Sequence, residues 1–195
     1  MNKKISGGAL AGGRGIYERV EDDFYATDPN SVLSFLNEYE LDGKIVYEPC
    51  VGEGHIAKTI KNYYLDKMVY GTDLVDRGYG DGVFDFINGD VSDLIKLGVP
   101  VNNVDWVITN PPFKFAKEFI NKSLNIANKG VVMFLKIQFL ESQSRKEWFK
   151  ETPLKYVYVF SKRQVVLNNG QKINPKTGKA WASTMCFCWY IWEKD

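Results

Sequence analysis

The chain reads as an α/β fold: a mainly parallel sheet covered by helices on both faces. Short apolar, β-branched runs alternate with helical stretches over most of the length, and such alternation builds parallel sheets with a helix in each crossover. Glycines, prolines or aspartates punctuate the ends of the runs, where turns are needed. At 195 residues the chain has the length of one domain with a sizeable core.

The elements follow in order. Asp28 can cap a helix over residues 29–40, with Pro29 suited to its first turn. A short buried strand is expected at 44–48, then a glycine turn opening a helix to about Tyr64. The next strand covers 67–72 and ends at Asp73; a further one near 83–87 leads to Asp90. The pattern repeats with a strand at 104–109, a helix at 114–127, a strand at 131–135 and a helix at 142–150. Strands at 156–160 and 184–192 close the chain, flanking a basic loop. There is no internal repeat or linker. Residues 1–19, rich in glycine toward the start, are expected to be a flexible tail, and residues 20–195 one domain.

Composition narrows the function. No apolar run approaches the roughly 18–20 residues that span a bilayer, and the start lacks a signal-type apolar segment, so a cytoplasmic protein without membrane contact is expected. Three cysteines without framework spacing and a single histidine offer little for disulfides or metal, and no metal site is expected. Net charge is only +1, but it is unevenly spread. Residues 1–100 carry ten Lys/Arg against seventeen Asp/Glu, and residues 101–195 fifteen against seven. The basic half should face any polyanion, and the loop 161–180 is its extreme, with Lys162, Arg163, Lys172, Lys176 and Lys179 and no acidic residue. Such a loop suits phosphate tracking; it equally suits a merely soluble surface.

In open α/β sheets ligands bind beyond the carboxyl ends of the strands, so chemistry is sought there. The first such place reads Glu48-Pro49-Cys50-Val51-Gly52-Glu53-Gly54, where Gly52 and Gly54 let the backbone approach a ligand before a helix begins. By itself this turn also suits a nicotinamide or flavin cofactor, or no ligand. Asp73, at the end of the next strand, can accept hydrogen bonds from both ribose hydroxyls of an adenosine-containing cofactor, or cap a turn. Asp90 can receive an adenine amine, or sit in a plain Asn-Gly-Asp turn.

The fourth place carries most of the argument. The strand ending at Thr109 runs directly into Asn110-Pro111-Pro112-Phe113. Consecutive prolines stiffen the backbone and cannot extend the strand, so they hold the Asn110 side chain and nearby carbonyls in a fixed array. A nucleobase or carboxamide amine is a poor nucleophile because its lone pair is delocalised. Accepting both its N–H hydrogens at Asn110 Oδ1 and the Pro111 carbonyl favours a tetrahedral nitrogen that can attack. Phe113 offers a face for a base taken out of its helix. Lys114 beside it is a candidate nucleic-acid contact; Lys136 and Phe139, after a later strand, can touch a target base or its backbone, although Phe139 reads most simply as a packing residue.

These residues resemble the amino-methyltransferases, specifically the N6-adenine and N4-cytosine DNA methyltransferases, whose Asp/Asn/Ser-Pro-Pro-Tyr/Phe/Trp signature Asn110 to Phe113 matches. The resemblance runs from about residue 20 to 192. It implies a Rossmann-like class I methyltransferase fold with a seven-stranded sheet and S-adenosylmethionine as cofactor. Phe24 to Pro29, with Tyr25 and Thr27, is similar to the segment touching the cofactor's methionine end. Glu48 to Ala57 resembles the methionine-binding turn, with Glu48, Pro49, Cys50, Gly52 and Gly54 as contacts. Asp73 is similar to the ribose ligand, Asp90 to the adenine ligand, and 186–192 to an aromatic late strand of small phage and prophage members. What it implies for activity is adenine N6 methylation in DNA, with Asn110, Pro111, Pro112 and Phe113 as the catalytic motif. The family usually adds a separate target-recognition domain, which this chain is not expected to have. The basic loop, a specificity partner or self-association then supplies recognition.

The same tetrapeptide is close to the one in methylases of release-factor glutamine and of RNA guanine N2. N4-cytosine methylation, protein or RNA methylation and a non-catalytic cofactor- or DNA-binding remnant stay open at this point. His55, Phe134, Trp148, Phe149 and the pair Cys186 and Cys188 read as packing residues, and Cys50 as a small residue within its turn.

Overall fold

The computed structural model describes residues 25–164, 167–168, 173, 178 and 185–194. The expected tail and Lys172, Lys176 and Lys179 of the basic loop lie outside them. The elements in order are β1 (Tyr25–Ala26), α1 (Pro29–Glu38), β2 (Ile45–Glu48), α2 (His55–Tyr63), β3 (Met68–Asp73), β4 (Gly82–Val83) and α3 (Val91–Lys96). There follow β5 (Trp106–Thr109), α4 (Ala116–Ile126), β6 (Gly130–Lys136), α5 (Gln143–Glu151), β7 (Leu154–Val159), β8 (Leu167–Asn168) and β9 (Phe187–Glu193), with short 3-10 turns before β5, before α4 and after β6.

Seven strands form one sheet in the order β4-β3-β2-β5-β6-β9-β7. Neighbours from β4 to β6 are parallel, while β9 runs antiparallel to both β6 and β7. The chain winds outward from β2 in one direction and from β5 in the other, so the crevice between their carboxyl ends is the switch point of the sheet. Helices α1, α2, α4 and α5 are placed as the pattern predicts, whereas α3 was not expected. Asp28 caps α1 through a bond from Asn30 N at 3.0 Å, with Pro29 at its start.

Each face of the sheet has its own core. On one, Val46, Trp106, Ile108, Val132, Phe134, Trp189 and Ile191 pack against α1 and α2. On the other, Tyr47, Val107, Val131, Met133, Tyr190 and Trp192 pack against α3, α4 and α5. The alternation along β6 and β9 produces this split, because successive side chains point to opposite faces. Buried indoles keep polar partners: Trp106 Nε1 donates to Asp42 O at 2.9 Å, Trp189 Nε1 to Ser31 O at 3.1 Å and Trp148 Nε1 to Asn121 Oδ1 at 2.9 Å. Gly130 starts β6 where the Trp106 ring and the Trp192 carbonyl close in; a Cβ there would lie 2.5 Å from the ring and 2.3 Å from the oxygen. Cys188 is buried, as its position on one strand face suggests.

Two expectations change. The strand near 83–87 is only Gly82–Val83, because Asp85 turns the chain at once, accepting from Ile87 N and Asn88 N at 3.0 Å each. A two-stranded ribbon, β1 antiparallel to β8, was not foreseen. Its strands lie 140 residues apart in sequence and are too short to show a period. Among the described residues no helix is long and apolar enough to cross a membrane.

Candidate active site

A cleft of about 360 Å³ opens at the switch point, lined from five places along the chain. Ala26 comes from β1 and Thr27 follows it, residues 48–51 with His55 and Ile56 come from the β2 turn, and Asp73 to Val75 with Arg77 from the end of β3 and the loop after it. Residues 84–88 come from the turn after β4, and Asn110, Pro112, Phe115 and Phe119 from the end of β5 onward.

The β2 turn is built around two carboxylates. Glu48 is 1% exposed, and its Oε2 accepts from Ala57 N at 2.9 Å. Gly54 enters α2 in the left-handed region, with φ +82°, and brings no side-chain cap, so Glu48 caps the helix from a distance. Burial pushes the Glu48 carboxyl well above its usual range; the Ala57 bond opposes this and nearby Asp73 adds to it. Asp73 ties two loops together, its Oδ2 accepting from Gly52 N at 2.8 Å and its Oδ1 from Val75 N at 3.1 Å. Gly52 and Gly54 therefore shape the turn without lining the cleft. Cys50 lines it as a free thiol whose pKa burial, with Asp73, pushes up, which keeps it protonated. Burial pulls the His55 pKa down despite Glu53 at 4.0 Å, leaving a neutral imidazole on the wall.

The opposite wall corrects one expectation. Asp90 does not line the cleft. It is the exposed N-cap of α3, its Oδ1 accepting from Ser92 N at 2.8 Å, because the early turn at Asp85 ends β4 and leaves Asp90 to start the helix. The carboxylate that reaches the cleft is Asp85, five residues earlier. The Asn88 side chain, bonded to Asp85 Oδ2 at 2.9 Å, and the backbone of this turn lower its pKa, so it stays ionised. Lys122 on α4 holds the turn from behind, donating to Gly89 O at 2.6 Å.

Of the tetrapeptide, Asn110 and Pro112 line the cleft. Pro111 is buried beneath it, and Phe113 is half-buried between the two cores. The Phe113 ring lies 5.8 Å from Phe187, with Lys136 Nζ 4.8 Å from its centroid. Phe115, 38% exposed, lines the cleft under Lys114 Nζ, 4.4 Å from its ring. The Tyr25 side chain is outside the described structure. Lys162 and Arg163 are exposed at the start of the basic loop, which Gln164 fastens to α1 through Ser31 Oγ at 2.7 Å.

Sequence reading thus missed Asp85, Arg77, Phe115 and Phe119 and took His55 as packing. A carboxylate after a strand was the right signal for Asp85, but the strand end was placed too late. The residues fit an adenosine-bearing, amino-acid-ended cofactor. Thr27, 2% exposed on the cleft wall, has a hydroxyl with no hydrogen-bond partner among the described residues, which a buried hydroxyl rarely tolerates. Asp73 and Asp85 are acceptors at two separate strand ends. Among the described residues no group of three or more His, Cys, Asp or Glu is arranged to hold a metal.

No family model matches the chain, and no curated protein matches it by sequence. Solved structures do. A Pyrococcus horikoshii protein described as an RNA methyltransferase candidate is similar over 85% of this chain and 82% of its own, with TM-score 0.55 and 18% identity. Precorrin-6y C5,15-methyltransferase from Geobacter metallireducens matches over 90% and 97%, with TM-score 0.54 and 10% identity. The METTL16 methyltransferase domain matches over 83% and 80%, with TM-score 0.54 and 12% identity. With its sheet order, this gives the chain the Rossmann-like class I methyltransferase fold.

Proposed function

We propose that the protein is an S-adenosylmethionine-dependent methyltransferase acting on an exocyclic amine, with adenine N6 in DNA as the substrate. One observation carries the reading: Asn110 and Pro112 share a single cleft with Glu48, Asp73 and Asp85. When bound, the cofactor supplies a methyl group already activated on a sulfonium.

The chain's own residues then have distinct tasks. Thr27 and the Glu48 turn hold the amino-acid end, Asp73 the ribose hydroxyls and Asp85 the adenine amine. Asn110 Oδ1 and the Pro111 carbonyl accept the two hydrogens of the target amine, so that its lone pair points into the cleft. No strong general base is required, because the proton leaves after methyl transfer, from a nitrogen that is by then positively charged. Positioning supplies most of the rate. Lys114, Lys162 and Arg163, all exposed, are the cations that would meet phosphates, and binding should weaken steeply with salt.

An RNA substrate is the second reading, favoured by the description of the Pyrococcus horikoshii relative. Incubation with isotope-labelled S-adenosylmethionine and unmethylated DNA or RNA, followed by digestion and mass spectrometry of the nucleosides, tests both. Labelled N6-methyldeoxyadenosine, absent with Asn110→Ala, is the expected product. Label only in RNA moves the assignment to the second reading, and no label in either overturns it.

A further inference from the structure

We propose that Phe115 determines the substrate class: its ring is the platform on which a planar base stacks while Asn110 holds the amine, so that the cleft takes a nucleobase rather than a side-chain carboxamide. This rests on the proposed methyltransferase reading.

Two phenylalanines flank Lys114, and the fold uses them differently. Phe113 packs against both cores. Among the described residues Phe115 joins neither core and stays 38% exposed, although burial would stabilise so large an apolar side chain. It lines the same cleft as Asn110 and Pro112. Its backbone is tied to the tetrapeptide, since Phe115 N donates to Pro112 O at 2.9 Å and closes the 3-10 turn. The ring is thus fixed to the short segment that carries Asn110.

The neighbouring residues put this ring at the target end of the cleft rather than the cofactor end. Phe119, about one turn further along α4, is buried, and its ring lies 5.0 Å from that of Phe86, which follows Asp85 in the chain. Those rings accompany the carboxylate assigned above to the cofactor's adenine. Helix α4 crosses over between the parallel strands β5 and β6, so it begins at their carboxyl edge, and each turn toward its start rises about 5.4 Å toward the mouth. Phe115 is the N-cap of that helix. It therefore stands nearer the mouth than Phe119, in the turn that joins α4 to Asn110.

One face of the ring is already taken. Lys114 Nζ lies 4.4 Å from its centroid, yet Lys114 does not line the cleft, so the ammonium covers the face turned away and the cleft meets the other. Every nucleobase has a π face, so such a platform favours rings over a glutamine carboxamide without choosing among the bases. It also replaces the stacking that a base loses on leaving its strand.

The test compares the unsubstituted protein with Phe115→Leu and Phe115→Tyr on random-sequence DNA oligonucleotides. Methylation is followed with labelled S-adenosylmethionine, S-adenosylhomocysteine binding by calorimetry and Tm by thermal unfolding. Phe115→Leu keeps apolar volume and removes the ring; it should lower kcat/KM roughly five- to 150-fold, the range that base–aromatic stacking supplies. Its affinity for S-adenosylhomocysteine should stay within about twofold and its Tm within about 2 °C, because the ring packs in neither core. Phe115→Tyr keeps the ring and should recover the rate to within about threefold. An unchanged rate in Phe115→Leu, a Phe115→Tyr as impaired as Phe115→Leu, or a loss of S-adenosylhomocysteine affinity that matches the loss of rate overturns the proposal, the last by giving the ring to the cofactor. Unsubstituted protein that binds S-adenosylhomocysteine yet leaves adenine DNA unmethylated overturns the proposed substrate and this inference with it.

Discussion

The two walls of the cleft are made differently. The wall from β2, β3 and β4 is loop backbone held in shape by carboxylates: Glu48 on Ala57 N, Asp73 on Gly52 N and Asp85 on Asn88 N. The wall after β5, with Asn110 and Pro112, is backed by aromatic packing, in which Phe113, Phe187, Phe134 and Trp189 form one series of ring contacts. Carboxylates and left-handed glycines specify local hydrogen-bond geometry, which suits a small molecule of constant shape. Buried ring stacks instead fix where the strand end they support stands, here the one that carries Asn110. The two walls should therefore fail in different ways.

The largest expected effect separates them outright. Asn110→Ala should lower methylation roughly 10²- to 10³-fold, the usual loss for one positioned polar group, while calorimetry shows cofactor affinity within about twofold. A parallel loss of cofactor affinity would mean the walls are not separate. Next, Gly54→Ala places a Cβ 2.4 Å from the Tyr79 ring at φ +82°. It should cost about 1–2 kcal/mol, seen as a Tm lower by roughly 2–8 °C, and weaken cofactor binding as well. An unchanged Tm would show that the turn relaxes.

The two aspartates sharpen the cofactor wall itself. Asp85→Ala should weaken S-adenosylhomocysteine binding roughly tenfold, whereas Asp90→Ala should leave it unchanged and only slightly lower thermal stability. The reverse pattern would restore Asp90 as the ligand. The smallest effect concerns pH. Glu48 keeps its proton in the folded protein above the ordinary value of 4.5, so the folded state binds a proton that the unfolded chain releases. Its contribution to stability is full below pH 4.5 and is lost as pH rises from there toward the raised folded value. Glu48→Gln keeps an acceptor for Ala57 N and should flatten this decline, read from urea midpoints between about pH 5 and 8. Parallel curves for the two proteins would show that Glu48 is ionised when folded.

The same contrast separates what could be read along the chain from what could not. The alternation of elements, the glycine turn at 52–54, Asp73 and the Asn110 tetrapeptide were legible because each is set by residues within a few positions of one another. Asp85 was missed for Asp90 because the end of a two-residue strand depends on an Asx turn competing with sheet pairing. Phe113 was expected to offer its face to the cleft and instead is wedged between two cores, with Phe115 on the cleft wall. No local pattern distinguishes two phenylalanines two residues apart on a 3-10 turn.

By itself, then, the chain determined most of its strand and helix order, its uneven charge and the strand ends that meet at the cleft, all consequences of short-range stereochemistry and hydrophobic period. Only the tertiary structure decided which groups come together: Thr27 in one cleft with Asp73, Lys122 with the Asp85 turn, Lys136 with Phe113, and β1 with β8. Those pairings join residues tens to more than a hundred positions apart. Their geometry follows from how the two cores pack on the sheet, which no local window of sequence contains.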